Sequence, residues 1–281
     1  MTHTRAELAA MLERHGLRPR RSLGQNFVAD PNTVRRIART SGVGPGDRVV
    51  EVGAGLGSLT WALAETGAQV TAVEADSRLV EALLGQGLPP NVRVVAGDAM
   101  ALDWGSLLAE DGPWALVANL PYNLATPLVV SLLEGVPAIG RMLVLVQLEV
   151  AQRLVARAGQ PAYGAVSVKV SYWATARLAG RVPKEVFLPR PKVESALVAL
   201  ERRPAPPVPP GVSYPELAAL VGAGFSQRRK MLRRSLAGLV APEAFELAGV
   251  APEARAEDLD VSEWGKLVRW ARSRSCERRQ S

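Results

Sequence analysis

Apolar and polar positions along the first two hundred residues follow the order expected of an open α/β sheet. Short apolar runs predict five strands, at 48–52, 69–74, 92–96, 114–118 and 141–147. Segments compatible with helices separate most of these runs, and strands that alternate with helices favour a largely parallel sheet. Predicted helices at 149–158 and 165–174 then lead to a final strand pair at 177–182 and 196–200.

The pattern changes at the proline-rich run 202–211, since so many prolines favour a stiff, extended connector. Beyond it the sequence predicts only helices, at 214–223, 227–237, 242–248 and 262–271. We therefore expect an α/β domain over 1–203 that begins with a helical arm, a linker at 204–211, and a small α-helical domain over 212–281. The last residues, 272–281, are polar and basic, and we expect them to be disordered.

Charge divides the chain in a similar place. Residues 1–150 carry 12 Lys and Arg against 15 Asp and Glu, a balance of −3, whereas 151–281 carry 22 against 12, a balance of +10. The sequence pI is about 10.1. A basic half of this kind is typical of proteins that bind nucleic acid, although a basic surface that only promotes solubility gives the same balance.

Two histidines and one cysteine cannot form a metal-ligand cluster or a disulfide framework. We therefore expect no metal. The single Cys276 fits a reducing compartment, and the cytoplasm is the default expectation. No apolar run is long enough for a signal peptide or a membrane span, which predicts a soluble protein with no membrane partner.

The first predicted strand ends in a stretch with three alternating glycines, Glu51–Thr60, and a helix-compatible segment follows at once. Glycines allow positive φ and a close approach of the backbone to a ligand, so a nucleotide-type cofactor is expected at this strand end. A dinucleotide site would have G-x-G-x-x-G, whereas this chain has E-x-G-x-G-x-G. The spacing resembles motif I of class I S-adenosylmethionine-dependent methyltransferases.

Acids end the next two predicted strands. Glu74 lies about twenty residues after the glycines, where a carboxylate can accept hydrogen bonds from ribose hydroxyls. Asp98 is placed to accept a hydrogen bond from an adenine amino group, and it could also cap a helix.

The fourth predicted strand ends in Asn119-Leu120-Pro121-Tyr122. The Asn119 side chain and a neighbouring backbone carbonyl can accept both protons of an exocyclic amino group, while Tyr122 can stack on the ring that carries it. The alternative is a structural turn with a buried tyrosine.

Three other segments carry candidate contacts. The segment 23–30, before a helix predicted to begin at the Asp30–Pro31 cap, can fold over the cofactor mouth or form a connecting loop with a buried Phe27. Two prolines hold an extended loop with Phe187, Arg190 and Lys192, suited to an aromatic and anionic target or simply to the surface. Five cationic side chains within 228–234, with no acid among them, favour contact with an RNA backbone over a merely solvated helix face.

Taken together, these motifs resemble the ribosomal RNA adenine N6,N6-dimethyltransferase family, and most closely its KsgA-type branch that acts on small-subunit rRNA. The likeness runs from about Arg20 to Trp270. Its seven motifs, in order, are L-G-Q-N-F-x-x-D from Leu23, E-x-G-x-G-x-G-x-L-T from Glu51, V-E-A-D from Val73, G-D-A from Gly97, N-L-P-Y-N from Asn119, F-x-P-R-P-K-V-x-S from Phe187 and F-x-Q-R-R-K from Phe225.

The resemblance implies a class I S-adenosylmethionine-dependent methyltransferase (Rossmann-like) domain with a small all-α C-terminal domain. It also implies S-adenosylmethionine as methyl donor, S-adenosylhomocysteine as product, and dimethylation of two adjacent adenosines in 16S rRNA of the small subunit or its precursor. A monomer is expected. Because an adenine amino group is a poor nucleophile, the acceptors at Asn119 and Leu120 would orient its lone pair for in-line displacement.

The implied site has three parts. The residues expected to bind the cofactor are Asn26, Phe27, Gly53, Gly55, Glu74, Ala75, Asp98, Ala99 and Asn119. Those expected to hold the target base are Asn119, Leu120, Pro121 and Tyr122, with Phe187 stacking on its other side. Those expected to bind RNA are Arg190, Lys192, Arg228, Arg229, Lys230, Arg233 and Arg234.

Three other functions stay open. A large-subunit rRNA dimethyltransferase of the antibiotic-resistance type shares the N-terminal motifs, but Leu56 and the F-x-Q-R-R-K segment favour the small-subunit branch. A non-catalytic ribosome-assembly factor could keep the fold, and the intact acids and glycines disfavour it. A nicotinamide-dependent oxidoreductase is disfavoured by the glycine spacing and the basic half.

Overall fold

The computed structural model describes residues 2–20, 24–108 and 112–271. The predicted disordered tail at 272–281 and Leu23 of the first motif lie outside the described residues. Contacts divide the chain into two compact units, each made of separate stretches: unit 1 comprises 1–151 and 176–202, and unit 2 comprises 152–175 and 203–281. Within the described part of the chain, no helix is both long enough and apolar enough to cross a membrane.

Unit 1 is built on a seven-stranded sheet with the order β4-β3-β2-β5-β6-β9-β7. Its strands are β2 (Arg48–Val52), β3 (Gln69–Glu74), β4 (Val92–Ala96), β5 (Trp114–Asn119), β6 (Ile139–Gln147), β7 (Ala174–Val182) and β9 (Ser195–Arg202). Strands β2 to β6 pair in parallel and β9 runs antiparallel to β6. All seven predicted strands are therefore confirmed, with β5, β6, β7 and β9 longer than expected.

Helices cover this sheet and connect its parallel strands. They are α1 (Arg5–Arg14), α2 (Pro31–Ser41), α3 (Ser58–Ala64), α4 (Ser77–Leu84), α5 (Trp104–Leu107) and α6 (Ala125–Gly135). Helix α7 (Leu148–Val155) follows β6 and contains the boundary between units 1 and 2. Helix α2 begins as predicted, because the Asp30 carboxylate accepts a hydrogen bond from the Thr33 amide at 2.9 Å and Pro31 needs no such partner. One core cluster packs α2 and α3 against β2, β5 and β6.

A two-stranded antiparallel sheet joins distant segments of unit 1. Its strands are β1 (Phe27–Val28) and β8 (Phe187–Leu188), with Phe27 opposite Leu188. Two-residue strands have no periodicity, so the sequence did not predict this pairing. This pairing holds the segment before α2 against the loop that contains Phe187.

Helix α1 is tied to the same region. Leu8, Met11 and Leu12 bury their side chains in a cluster that includes Leu56 of the glycine stretch. The Arg5 guanidinium donates hydrogen bonds to two backbone carbonyls of the loop at 185–187, at 2.6 and 2.8 Å.

Unit 2 consists of helices around a core of its own. They are α8 (Ala165–Trp173), α9 (Tyr214–Ser226), α10 (Leu232–Ser235), α11 (Pro242–Ala248) and α12 (Val261–Ala271). Trp264 is fully buried at the centre. A Cβ on Gly224 would lie 2.5 Å from the Trp264 ring, so this position needs glycine for close helix packing.

The structure differs from the expected organisation at three places. Residues 152–175, expected in the α/β domain, pack in unit 2, where Tyr163 donates a hydrogen bond to the Leu259 carbonyl at 2.7 Å. In the expected linker, Val208 and Pro209 lie against Gly265 of α12.

The helix predicted at 227–237 is the third difference, and that prediction is wrong. Residues 227–230 form a turn, and only α10 is helical. The backbone there leaves the helical path because the Leu232 and Arg233 amides donate to the Ala254 and Pro252 carbonyls at 2.7 and 3.2 Å.

Candidate active site

The glycine stretch forms a tight turn between β2 and α3. Gly53, Gly55 and Gly57 have φ angles of 77°, 56° and 84°, in the left-handed region that favours glycine. A Cβ on Gly55 would lie 2.8 Å from the Phe27 ring, so the turn also needs a side chain as small as hydrogen there. The turn brings the backbone next to the open space at the carboxyl end of the sheet.

Glu74 is the buried acid that holds this turn. Its Oε2 accepts a hydrogen bond from the Gly55 amide at 2.8 Å, and its Oε1 accepts two more, at 2.9 Å each, from the amides of Ala75 and Asp76. A carboxylate has about four acceptor sites, so Oε2 keeps room for one more donor, such as a ligand hydroxyl.

Asp98 follows β4 and is exposed at the same edge of the sheet. Its Oδ1 accepts a hydrogen bond from the Met100 amide at 2.9 Å, which forms a turn rather than the cap of a regular helix. The second oxygen is therefore available to accept from a ligand.

Asn119 ends β5, and its amide is held in one orientation. Its Nδ2 donates a hydrogen bond of 2.7 Å to the Asn26 carbonyl, which can only accept. The Oδ1 must then point away from that carbonyl, and no donor among the described residues is recorded for it. Asn119 consequently presents a hydrogen-bond acceptor beside the Leu120 backbone.

The segment before β1 packs on the turn that follows Asn119. A Cβ on Gly24, whose φ is 65°, would lie 2.8 Å from the Asn123 Oδ1 and 3.0 Å from the Tyr122 amide nitrogen. The sequence hypothesis that this segment folds over the mouth of the pocket agrees with this packing.

One pocket collects the predicted residues. All nine predicted cofactor contacts line it, together with Leu120, Pro121 and Tyr122. The sequence did not single out the other lining residues, which are Gly24, Gln25, Val52, Val73, Leu79, Gly97, Met100, Leu124 and Leu128. Four of these already lie within the quoted motifs without an assigned role, namely Gly24, Gln25, Val73 and Gly97. Val52, Met100 and Leu124 lie one or two positions from a predicted residue, whereas Leu79 and Leu128 have no such neighbour.

Phe187 does not line this pocket. Its ring is fully buried in the core beneath α2 and β5, because β8 pairs with β1 and turns the side chain inward. The structure therefore contradicts the expected stacking of Phe187 on a target base.

Glu51 lies under the glycine turn, and no ion pair is recorded for it within the described residues. Its side chain is buried, and its Oε2 accepts a hydrogen bond from the Thr60 hydroxyl at 2.6 Å. Burial raises the pKa of Glu51 to about 8, against the lowering effect of that hydrogen bond. Glu51 thus supports the turn largely as a neutral acid near pH 7.

The predicted RNA-binding side chains are all exposed, but they differ in their partners. In unit 1, Arg190 forms an ion pair with Glu185, and Lys192 has no recorded partner among the described residues. In unit 2, Arg228 donates to Glu257 at 2.8 Å and to the Pro161 carbonyl at 3.0 Å, so it also holds the turn.

Arg233 pairs with Glu253 at 3.3 Å. The remaining cations of the cluster have no ion pair recorded within the described residues, and these are Arg229, Lys230 and Arg234.

Comparison with known proteins identifies the family. The model of the family "Ribosomal RNA adenine dimethylase" matches residues 16–273. A protein from Thermobifida fusca named ribosomal RNA small subunit methyltransferase A is 46% identical over 276 residues, which cover 94% of each chain. A protein of the same name from Streptomyces avermitilis is 47% identical over 273 residues, covering 93% of this chain and 90% of that one.

Two solved structures have the same fold. The 23S rRNA methyltransferase ErmE is 28% identical with a TM-score of 0.66, over 87% of this chain and 99% of that one. A dimethyladenosine transferase from Plasmodium falciparum has a TM-score of 0.68 at 22% identity, over 85% and 94% of the two chains. The predicted class I S-adenosylmethionine-dependent methyltransferase fold with a helical C-terminal region is confirmed, and the chain belongs to the ribosomal RNA adenine dimethylase family.

Proposed function

We propose that this protein transfers two methyl groups from S-adenosylmethionine to the N6 atom of each of two adjacent adenosines in 16S rRNA of the small subunit or its precursor. The observation that carries the proposal is the fixed Asn119 amide, whose acceptor oxygen lies in a pocket shared with the glycine turn and the acids of β3 and β4. The proteins from Thermobifida fusca and Streptomyces avermitilis, both named small subunit methyltransferases, support the choice of substrate.

The donors and acceptors of the pocket fit S-adenosylmethionine. Glu74 would accept hydrogen bonds from the ribose hydroxyls of the cofactor, and Asp98 would accept one from its adenine amino group. The glycine turn allows the protein backbone to approach the cofactor closely. When bound, the cofactor supplies an electrophilic methyl on a sulfonium. The expectation that no metal takes part stays a prediction.

The target base would be held by Asn119, Leu120 and Tyr122. Two acceptors, the Asn119 Oδ1 and the Leu120 carbonyl, accept hydrogen bonds from the two N–H groups of the amino group and so orient its lone pair toward the methyl. The same acceptors stabilise the positive charge that develops on the nitrogen during transfer. The base must leave its stack to reach them.

RNA contacts are proposed at Arg190 and Lys192 and at the cationic cluster of unit 2. Arg229, Lys230 and Arg234 are the strongest candidates, since none of them has a recorded ion pair within the described residues. We also expect a cytoplasmic monomer.

The test is transfer of labelled methyl groups to undermodified small subunits, followed by mapping of the methylated adenosines. We expect dimethyladenosine in 16S rRNA. Asn119→Ala should lower the rate at least a hundredfold, because one acceptor to a developing charge is lost. Asn32→Ala, which changes an exposed asparagine of α2, is the control and should keep the rate.

Binding of RNA and cofactor should stay close to normal in Asn119→Ala. An unchanged rate in this variant would refute the role of the turn. Transfer to large-subunit RNA instead of small subunits would assign the protein to the antibiotic-resistance type, and no transfer to any RNA would favour an assembly factor.

A further inference from the structure

One buried serine contacts the proposed base-holding turn from another strand. Ser195 is the first residue of β9 and is fully buried, and its Oγ lies 2.8 Å from the Tyr122 hydroxyl oxygen. The two residues are 73 positions apart in the chain. Alanine would fill the place of Ser195 in a core equally well, so packing alone does not account for the hydroxyl.

The position of Ser195 is set by the sheet. It pairs with Gln147 in the antiparallel β6–β9 ladder, and the pairing continues without a shift to Arg141 opposite Glu201. A buried hydroxyl is costly unless it has a hydrogen-bond partner, and here the two hydroxyls share one hydrogen bond. Ser195 is therefore a fixed point in the core.

Tyr122, in contrast, belongs to the turn between β5 and α6 and lines the pocket. A ring on a turn is held by packing and by any hydrogen bond at its far end. The hydroxyl of Tyr122 is that far end, and its hydrogen bond to Ser195 ties the end of the ring to β9. Burial raises the pKa of Tyr122, so the hydroxyl stays protonated near neutral pH and does not act as a base.

We propose that Ser195 is a positioning residue that, through Tyr122, sets the room around the target amino nitrogen and so controls how readily the monomethylated base is methylated again. The inference rests on the proposed function. The first transfer leaves a methyl on the nitrogen, and the second requires that methyl to fit beside the Tyr122 ring. A displaced ring alters the two transfers unequally.

The experiment compares Ser195→Ala, Tyr122→Phe and the double variant in single-turnover methylation of undermodified small subunits. Each single variant should lower the rate about five- to tenfold, the effect of one neutral hydrogen bond. The double variant should be no slower than the slower single one, because both changes remove the same bond. Affinity for S-adenosylmethionine should not change.

The decisive readout is the ratio of dimethyladenosine to monomethyladenosine at equal total methylation. A loss of folded protein lowers the rate but leaves this ratio unchanged, whereas a displaced ring changes it. Thr71→Val is the control: it removes a buried hydroxyl from β3 of the same sheet, and both rate and ratio should stay as in the parent protein.

A parental rate and ratio in Ser195→Ala would overturn the proposal, and so would effects that multiply in the double variant. Tyr122→Phe leaves the strand intact and decides the question if Ser195→Ala does not fold, since a parental rate and ratio in that variant would also overturn it. Failure of the parent protein to methylate small subunits would instead refute the proposed function.

Discussion

At the scale of single residues, two buried carboxylates under one turn have opposite surroundings. Glu74 accepts three hydrogen bonds from backbone amides. The buried Glu51 side chain accepts one hydrogen bond, from the Thr60 hydroxyl, and no other donor to it is recorded among the described residues. The chain thus places an acid with three amide donors at the pocket and a largely neutral acid behind it.

The raised pKa of Glu51 makes stability depend on pH. The folded value of about 8 lies above the ordinary 4.5, so the unfolded chain loses this proton first. The stabilisation is complete below about pH 4.5 and is lost as pH rises through 8. One pKa unit corresponds to about 1.4 kcal/mol, so the total effect is a few kcal/mol at most.

Glu51→Gln keeps an acceptor for Thr60 and removes the ionisation. We expect the free energy of unfolding of the parent protein to fall relative to this variant between pH 5.5 and 8.5. Urea denaturation at both pH values measures it. A parent and a variant whose difference in stability is the same at both pH values would contradict the prediction.

Residue types at strand ends made much of the pocket predictable. The glycines, Glu74, Asp98 and Asn119 could be placed together because parallel strands end at one edge of a sheet. The Tyr122–Ser195 contact could not be predicted, since it depends on the register of β9 against β6. The burial of Phe187 depends on the two-residue pairing of β1 and β8, which leaves no pattern in the sequence.

At the scale of elements, the Arg202 side chain caps the C-terminal end of α6, the helix that follows the active-site turn. The Arg202 guanidinium donates hydrogen bonds to the carbonyls of Leu133, Val136 and Ile139 at 2.8, 3.0 and 2.9 Å. These groups include the free carbonyls at the end of α6, which need donors and favour a cation. Arg202 thereby fastens α6 to the edge of β9.

Arg202→Met should lower the free energy of unfolding by about 2–4 kcal/mol, because several partly buried carbonyls lose a charged donor. The free energy of unfolding of Arg202→Lys should lie between those of the parent protein and Arg202→Met, because an ammonium group cannot reach all the carbonyls at once. Arg177→Met, on the exposed face of β7, is the control and should change stability little. Equal stability of the Arg202→Met and Arg177→Met variants, measured with urea, would show that the cap contributes nothing.

The secondary-structure predictions were correct where the local sequence signal was strong. Apolar runs such as 114–118 gave the buried strands, and proline with an acid before it gave the start of α2. The helix expected at 227–237 failed because its charges and apolar residues also fit a turn followed by a backbone contact with 252–255. That partner segment is distant in sequence, so local pattern could not decide between the two.

At the scale of the whole molecule, the positive charge of the second half gains a more specific meaning. Arg228 and Arg233 have carboxylate partners, whereas Arg229 and Lys230 have no ion pair recorded within the described residues. The cations that remain available are the ones that can release counterions from a phosphate backbone.

Arg229→Glu with Lys230→Glu should therefore weaken RNA binding and reduce the dependence of the dissociation constant on salt, by about one unit of the log–log slope for each cation. Titrations at several salt concentrations measure the slope. Arg39→Glu, an exposed position of α2, serves as the control and should leave it unchanged. If both variants keep the parental slope, the RNA lies elsewhere on the protein.

The interleaving of the two units along the chain has a consequence for synthesis. Residues 152–175 leave the ribosome before 176–202, yet most of the core that Tyr163 and Tyr172 join lies after residue 203. The seven-stranded sheet likewise waits for β9 to reach its place beside β6. Each unit is therefore completed by residues that are made after part of the other unit, and a chain cut at 203 would leave the core residues of α8 without most of the helices that bury them.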